Sequence, residues 1–145
     1  MTNDPPRPSV KLGVVDAQEL TGAYWRHYEL AHVGKDEARA EDFFWAWEAV
    51  DEIAHGHVTD TNLRLDPLDL IVQLADRAPN DEKALAYLGA GPVEDYLLYG
   101  DPDIRRVEQA AEINPRFRVA LRCAWFDAEL PNEDAARLRR FGPPL

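Results

Sequence analysis

Apolar residues recur at three- and four-residue spacings along nearly the whole chain, and no alternating β-branched run is long enough to argue for a sheet. The pattern predicts an all-α protein, a compact bundle of about eight helices joined by tight turns. Leu20, Tyr24, Trp25, Tyr28 and Ala31 make a broad apolar stripe on a first helix running from about Asp16 to Val33. Gly34 stands where a left-handed residue closes a helix. Asp36 can cap a second helix, with Glu37, Glu41 and Asp42 near its positive end. Phe43, Ala46, Trp47, Val50 and Ile53 or Ala54 fall on one face of that helix, whereas Phe44 and Trp45 point elsewhere. A helix apolar over more than half its girth is central, or else turns part of itself toward a partner. Gly56 ends it.

Beyond a loop from about His57 to Leu65, helix starts repeat. Asp66-Pro67, Asp101-Pro102 and Asn114-Pro115 each put a capping side chain before a proline, the residue tolerated at the first helical position. The stripes that follow are Leu68, Ile71, Val72 and Ala75, then Ile104, Val107 and Ala111, then Phe117, Leu121, Ala124 and Trp125. Asn80 is the expected cap of a short helix carrying Leu85 and Leu88, and Pro131-Asn132 opens a last one with Ala135 and Leu138. Helical-repeat-like pairing in the C-terminal two-thirds fits this rhythm, although no clean repeat period appears. The expected organisation is a polar arm over residues 1–12, one all-α domain over 13–140 and a flexible tail over 141–145.

The segment LGAGPVEDYLLYGDPDIRR, from Leu88 to Arg106, poses a choice between a phosphate cradle and a helix junction. A Walker loop requires Lys and then Ser or Thr after its last glycine, and here Pro92 and Val93 stand there. Pro92 removes one of the N–H donors an anion would use, and Glu94 and Asp95 place two carboxylates where it would bind. The junction reading is preferred: Gly89 ends one helix, Ala90 and Gly91 turn the chain, Pro92 starts the next helix and Glu94 caps it. These residues, with Ile104, Val107-Glu108, Ala110-Ala111, the run NPRFRVAL and Trp125, resemble an uncharacterised bacterial family of small proteins. Its motif is Gly-x-Gly-Pro-Leu/Val-Glu with a downstream Asp/Asn-Pro-x-Phe segment ending near a Trp. The resemblance covers roughly Asp66 to Trp125, makes Glu94 the motif position most suggestive of function, and brings no activity to transfer.

Composition narrows the function classes. The net charge is −11, and the excess lies in the middle: residues 36–103 hold 17 acidic and 4 basic residues. Such a field repels nucleic acid and anionic lipid and attracts a basic partner. One cysteine, Cys123, excludes an intrachain disulfide, and the sole serine, Ser9, leaves no serine triad. No apolar run is long enough to span a membrane and no secretory signal opens the chain, which places it in the cytoplasm. Arg outnumbers Lys 13 to 3, a bias of GC-rich, chiefly bacterial genomes.

Two function classes remain. The first is a non-enzymatic protein-binding module of immunity, inhibitor or adaptor type, with no cofactor and no catalytic residue, and with a homodimer compatible. Its basic protein partner would meet Glu41, Asp42, Glu48, Glu94 and Asp95, with Phe44 and Trp45 as aromatic anchors. The second is a small metal-dependent or acid–base enzyme. Glu48, Glu52 and His55 share a helix face, Asp51 lies among them and His57 follows the break, and carboxylate with imidazole suits Zn, Mn or Fe. His27 and His32, five residues apart, point about 140° away from each other on an ideal α-helix and form no joint site. Arg118 and Arg122 share a face that could take an anion, though neutralising the acidic middle of the chain explains the Arg105, Arg106, Arg116, Arg118 and Arg122 cluster better.

Overall fold

Aspartate starts five of the helices, because its carboxylate accepts hydrogen bonds from amides that have no partner in a first turn. The computed structural model describes residues 16–57 and 65–145, and among these it contains seven continuous helices and no strand. α1 covers Ala17–Tyr28 behind Asp16 and widens into a π turn at Glu29–Val33. α2 starts behind Asp36 as Glu37–Ala40, tightens through a 3-10 turn at Glu41–Phe43 and continues as Phe44–Ala54. α3 is Pro67–Asp76. α4 comprises Glu82–Leu88, a second π turn at Gly89–Val93, and Glu94–Tyr99. α5 is Ile104–Ile113, α6 is Pro115–Arg122 and α7 is Asn132–Arg139.

The junction expected between Leu88 and Glu94 does not exist, since the chain runs straight on. Proline in an α-helix clashes with the carbonyl four residues back and cannot bond to it. The π turn removes that conflict by moving the hydrogen bonds out to five residues, with the Glu94 amide reaching the Gly89 carbonyl. Neither Gly89 nor Gly91 has a positive φ. Gly89 serves close packing instead: a Cβ there would lie 2.2 Å from the Ala120 carbonyl oxygen and 2.6 Å from the Cys123 Cβ of the α6 segment. Glu94 is no cap of its own helix. Its Oε1 accepts from the Trp125 amide at 2.8 Å, just past α6. The quoted motif is thus the seam between α4 and the end of α6.

Other boundaries also moved. Asp81 caps α4 in place of Asn80, and Asp103 caps α5 in place of Asp101, which sits in the left-handed region at φ 54. Asn114 caps nothing forward; its Nδ2 donates back to the Ala110 carbonyl at 2.9 Å. The π turn ending α1 delays its exit by a residue, so Lys35 at φ 52 is left-handed while Gly34, at φ −80, is not. Gly56 does end α2, at φ 80. Trp125, expected in a core stripe, is 72 % exposed, because α6 stops at Arg122 and the helical period stops with it; Phe126 is buried instead. The segment expected as a loose tail is fastened: the Arg122 Nε donates to the Pro143 carbonyl and the Leu145 amide to that of Arg122. The arm and most of the loop after His57 lie outside the described residues.

One apolar cluster joins the helices, with Leu20, Ala46, Ile71, Leu74, Leu88, Phe117 and Leu121 among its fully buried members. α4 lies between α2 on one side and α6 on the other. The basic cluster mostly closes helix ends. Arg116 donates to the Asp76 and Pro79 carbonyls behind α3, and Arg118 to those of Ala111 and Glu112 at the end of α5. Arg106 alone of the five meets the acidic middle, gripping Asp66 through both nitrogens at 3.1 and 3.0 Å. No helix among the described residues is long and apolar enough to cross a membrane.

Candidate functional site

Both π turns border one open cavity of about 500 Å³ between α1, α2 and α4. Tyr24 and His27 enter it from the α-helical part of α1 and His32 from the π turn that follows. The extra residue per turn reverses the expectation for these two histidines, bringing His27 and His32 to the same wall. α2 contributes Trp47, Val50 and Asp51, the i, i+3, i+4 set of one face. From α4 come Tyr87, the Ala90-Gly91-Pro92 stretch and Asp95, four-residue steps along a single face. Two bonds fix α1 in place: Trp25 donates its indole N–H to the Leu74 carbonyl at 2.9 Å, and Tyr28 its hydroxyl to Asp81 at 3.1 Å.

The cavity wall is mainly aromatic. Tyr87 packs 5.0 Å from the His32 ring and 6.1 Å from Tyr24. Trp47 stacks on Phe44 at 5.4 Å and 12°, and Phe44 also meets His27, so Phe44 stands beside the cavity. Two buried polar atoms in this wall have no hydrogen-bond partner, the Tyr24 hydroxyl and the His27 Nδ1. Tyr87 is the polar neighbour that approaches the Tyr24 hydroxyl, without closing a hydrogen bond of full geometry. Burial pushes the Tyr24 hydroxyl well above the ordinary phenol range, and Tyr87, Asp95 and Asp51 add to this. Burial pulls His27 below the ordinary imidazole value, helped by His32, so it is neutral at pH 7. Asp95 is held above the usual carboxylate range by burial, which His55 partly offsets and Asp51 and Glu94 reinforce.

At one edge, Asp51 and His55 of α2 meet Asp95 of α4, each able to offer a ligand atom within 4.8 Å of the others. The His55 Nδ1 lies 2.7 Å from the Asp51 carbonyl oxygen and its Nε2 lies 3.7 Å from Asp95 Oδ1. Tyr99 stacks on the outer face of His55 at 5.3 Å, with His57 on the same ring at 5.9 Å. The expected ligand set is therefore redrawn. Glu48 and Glu52 point to solvent and His57 is outside the group, because α4 packs against the Asp51 side of α2. Asp95, expected to face a partner, belongs to this edge.

Of the expected partner-facing residues, Glu41, Asp42 and Glu48 are exposed, and Phe44 is 43 % exposed. Trp45 is buried at 7 % and offers no anchor: the 3-10 turn before Phe44 rotates α2 so that Trp45 faces the core. Cys123 is half-buried, and burial lifts its thiol above the ordinary value despite Arg122, leaving it protonated and unreactive. Tyr24, Trp47 and Tyr87 were missed as site residues. One signal was present: Asp66 puts a capping side chain ahead of Pro67, whereas Pro92 follows Gly91, which has none.

The molecule is thus an all-helical protein whose irregular turns frame a half-buried, acidic and aromatic cavity. It belongs to a family of unknown function, DUF6869, whose profile matches residues 33–141. The match includes Trp47, Asp51, His55, Tyr87 and Asp95 and begins after Tyr24, His27 and His32. No curated protein and no solved structure matches the chain.

Proposed function

We propose that this protein binds a small organic molecule in the cavity between α1, α2 and α4 and acts on it by acid–base chemistry. A flat portion of the ligand would lie against Trp47 and Tyr87, and an oxygen or nitrogen group would meet Tyr24 and His27. The observation that carries this reading is the pair of orphaned atoms, the Tyr24 hydroxyl and the His27 Nδ1, in the wall of one cavity. A buried polar group without a partner costs about 1–3 kcal/mol, so two in one place mark a site built for something other than stability. His27, neutral at pH 7, and Asp95, raised toward its protonated form, are titratable groups displaced in the way that proton transfer requires. π turns also concentrate at functional sites. The test is a thermal-shift screen with ring compounds bearing carbonyl or hydroxyl groups, benzamide and 4-hydroxybenzamide among them, followed by calorimetry on Tyr24→Phe. Binding weakened about tenfold, the equivalent of one hydrogen bond of roughly 1.4 kcal/mol, supports the site. Hits that bind Tyr24→Phe and His27→Ala as well as the native chain refute it.

A second reading, docking of a basic protein in the cytoplasm, is favoured by Phe44. Its half-exposed ring stands on α2 beside Glu41, Asp42 and Glu48. A salt-sensitive complex lost in Phe44→Ala but kept in Tyr24→Phe would favour this reading over the first.

A further inference from the structure

We propose that Asp51, His55 and Asp95 form a divalent-metal site, of the Zn²⁺ or Mn²⁺ class, at the acidic edge of the cavity. The inference goes beyond the cavity reading and shares with it the Tyr24 hydroxyl and Asp95, which a bound ion would hold ionised. Carboxylate, imidazole and carboxylate from two packed helices are the donor set those ions take, and three protein ligands leave coordination positions open toward the cavity. The His55 geometry favours it. A backbone carbonyl only accepts, so the Nδ1 at 2.7 Å from the Asp51 oxygen carries the ring proton. This second contact, from the far ring nitrogen to a carbonyl, orients most metal-bound histidines. It leaves Nε2 on the side of Asp95 Oδ1, 3.7 Å away, too long for a direct hydrogen bond and spaced to admit a cation between them.

The distance fits an ion. With metal–nitrogen and metal–oxygen bonds of about 2.1 Å, a 3.7 Å span corresponds to a ligand–metal–ligand angle of about 120°. Two ligands of one ion lie at most about 4.2 Å apart; all three residues offer ligand atoms within 4.8 Å, and the Asp51 carboxylate, whose Oδ1 stands 3.5 Å from His55 Nδ1, joins by turning toward the Nε2 side. An independent sign comes from Tyr24. It is 1 % exposed, lines the same cavity as Asp51 and Asp95, feels the charge of both, and has an unpartnered hydroxyl. A water or ligand oxygen on the ion would give that hydroxyl its missing partner. The ion would in turn supply a Lewis acid or an activated water beside His27.

The test uses the full chain without an affinity tag, stripped with chelator and titrated by calorimetry with Zn²⁺ and, separately, Mn²⁺. About one ion per chain is expected. His55→Ala and Asp95→Asn should each weaken binding at least tenfold, while the double variant Glu48→Gln/Glu52→Gln should bind as the native chain does. Melting curves of the chelated variants confirm that each is folded, and Asp95→Asn, which removes a half-buried charge, serves if His55→Ala is not. Absence of binding, or binding that survives His55→Ala and Asp95→Asn and is lost in the glutamate double variant, overturns the proposal. The two readings fail separately: 4-hydroxybenzamide binding without metal binding sinks the metal site alone, and metal binding without any cavity ligand sinks the cavity reading alone.

Discussion

Gly89→Ala puts the packing of the motif to a direct test, because two opposing effects act on one methyl group. In a helix interior, replacing Gly by Ala gains up to about 1 kcal/mol through backbone entropy. At Gly22 in α1 nothing lies within 4 Å of the new Cβ, so Gly22→Ala should collect that gain in full. At Gly89 the Cβ would stand 2.2 Å from the Ala120 carbonyl oxygen, more than about 1 Å inside ordinary contact. The obstacle is backbone of a packed helix and cannot swing aside. α4 and α6 must separate, loosening Leu85 and Leu88 against Phe117, Ala120 and Leu121, all buried in the core. Overpacking costs about 1–3 kcal/mol where side chains can yield, and here they cannot. Setting a clash of about 3–5 kcal/mol against a propensity gain of about 1 leaves Gly89→Ala destabilised by about 2–4 kcal/mol. At about 3 °C per kcal/mol, its melting point should fall by about 6–12 °C. Urea and thermal melts followed by circular dichroism at the helix band, with Gly22→Ala alongside, measure both. A Gly89→Ala protein as stable as the native chain would refute the close approach of α4 to α6.

Three further outcomes follow from named contacts. Tyr24→Phe, in the absence of ligand, should be no less stable than the native protein and up to about 1 kcal/mol more so, because it removes a buried hydroxyl without a partner; a thermal melt showing a loss beyond 1 kcal/mol would mean that the hydroxyl is bonded. Glu94→Ala should cost about 1 kcal/mol or less, since the Trp125 amide it frees is near water, while Glu94→Gln retains an acceptor and most of the stability; tryptophan emission should shift only in the alanine variant. Asp66 is held below the usual carboxylate range chiefly by the Arg106 guanidinium, and Asp127 likewise by Arg139. A depressed carboxyl stabilises above its ordinary value of about 3.8 and loses that contribution as pH falls through its lower folded value, so stability should decline below pH 4 and Arg106→Met should flatten the decline in acid titrations of the urea midpoint.

The all-helical class and the core stripes were legible because they depend on local rules. Leu20, Ile71, Leu88, Phe117 and Leu121 are buried where a 3.6-residue period places them, and Asp16, Asp36 and Asp66 cap where a short carboxylate can reach free amides. The site was illegible for the complementary reason. Reading His27 and His32 as opposed assumes a uniform α-helix, and reading Pro92 as a helix start assumes that a helix cannot widen around it. Both assumptions fail at π turns, and at Gly89–Val93 the turn adjoins a contact with Ala120 that lies about thirty residues away in sequence. Asp95 was visible as an acid, but the pairing of α4 with α2 that brings it to His55 is tertiary. The choice of Asp51 over Glu48 and Glu52 is tertiary too, since both sets satisfy helical spacing with His55.

The irregularities also fall together in space, and their placement is itself an argument. A chain selected only for stability would keep α1 and α4 regular, pair or omit the Tyr24 hydroxyl, and not set Asp95 against Asp51 in a half-buried wall. Each departure costs free energy locally, and these border the same cavity: both π turns, two of the four unpartnered buried atoms among the described residues, the raised carboxyl and the lowered imidazole. The other two unpartnered atoms, Glu108 Oε1 and Arg139 Nη1, belong instead to side chains held in ion pairs, where Arg137 and Arg140 meet Glu108 and Arg139 grips Asp127. Strain scattered at random would mark a poorly fitted sequence, whereas strain gathered around one concave surface, beside a core that is otherwise tightly filled, marks where the protein meets its ligand.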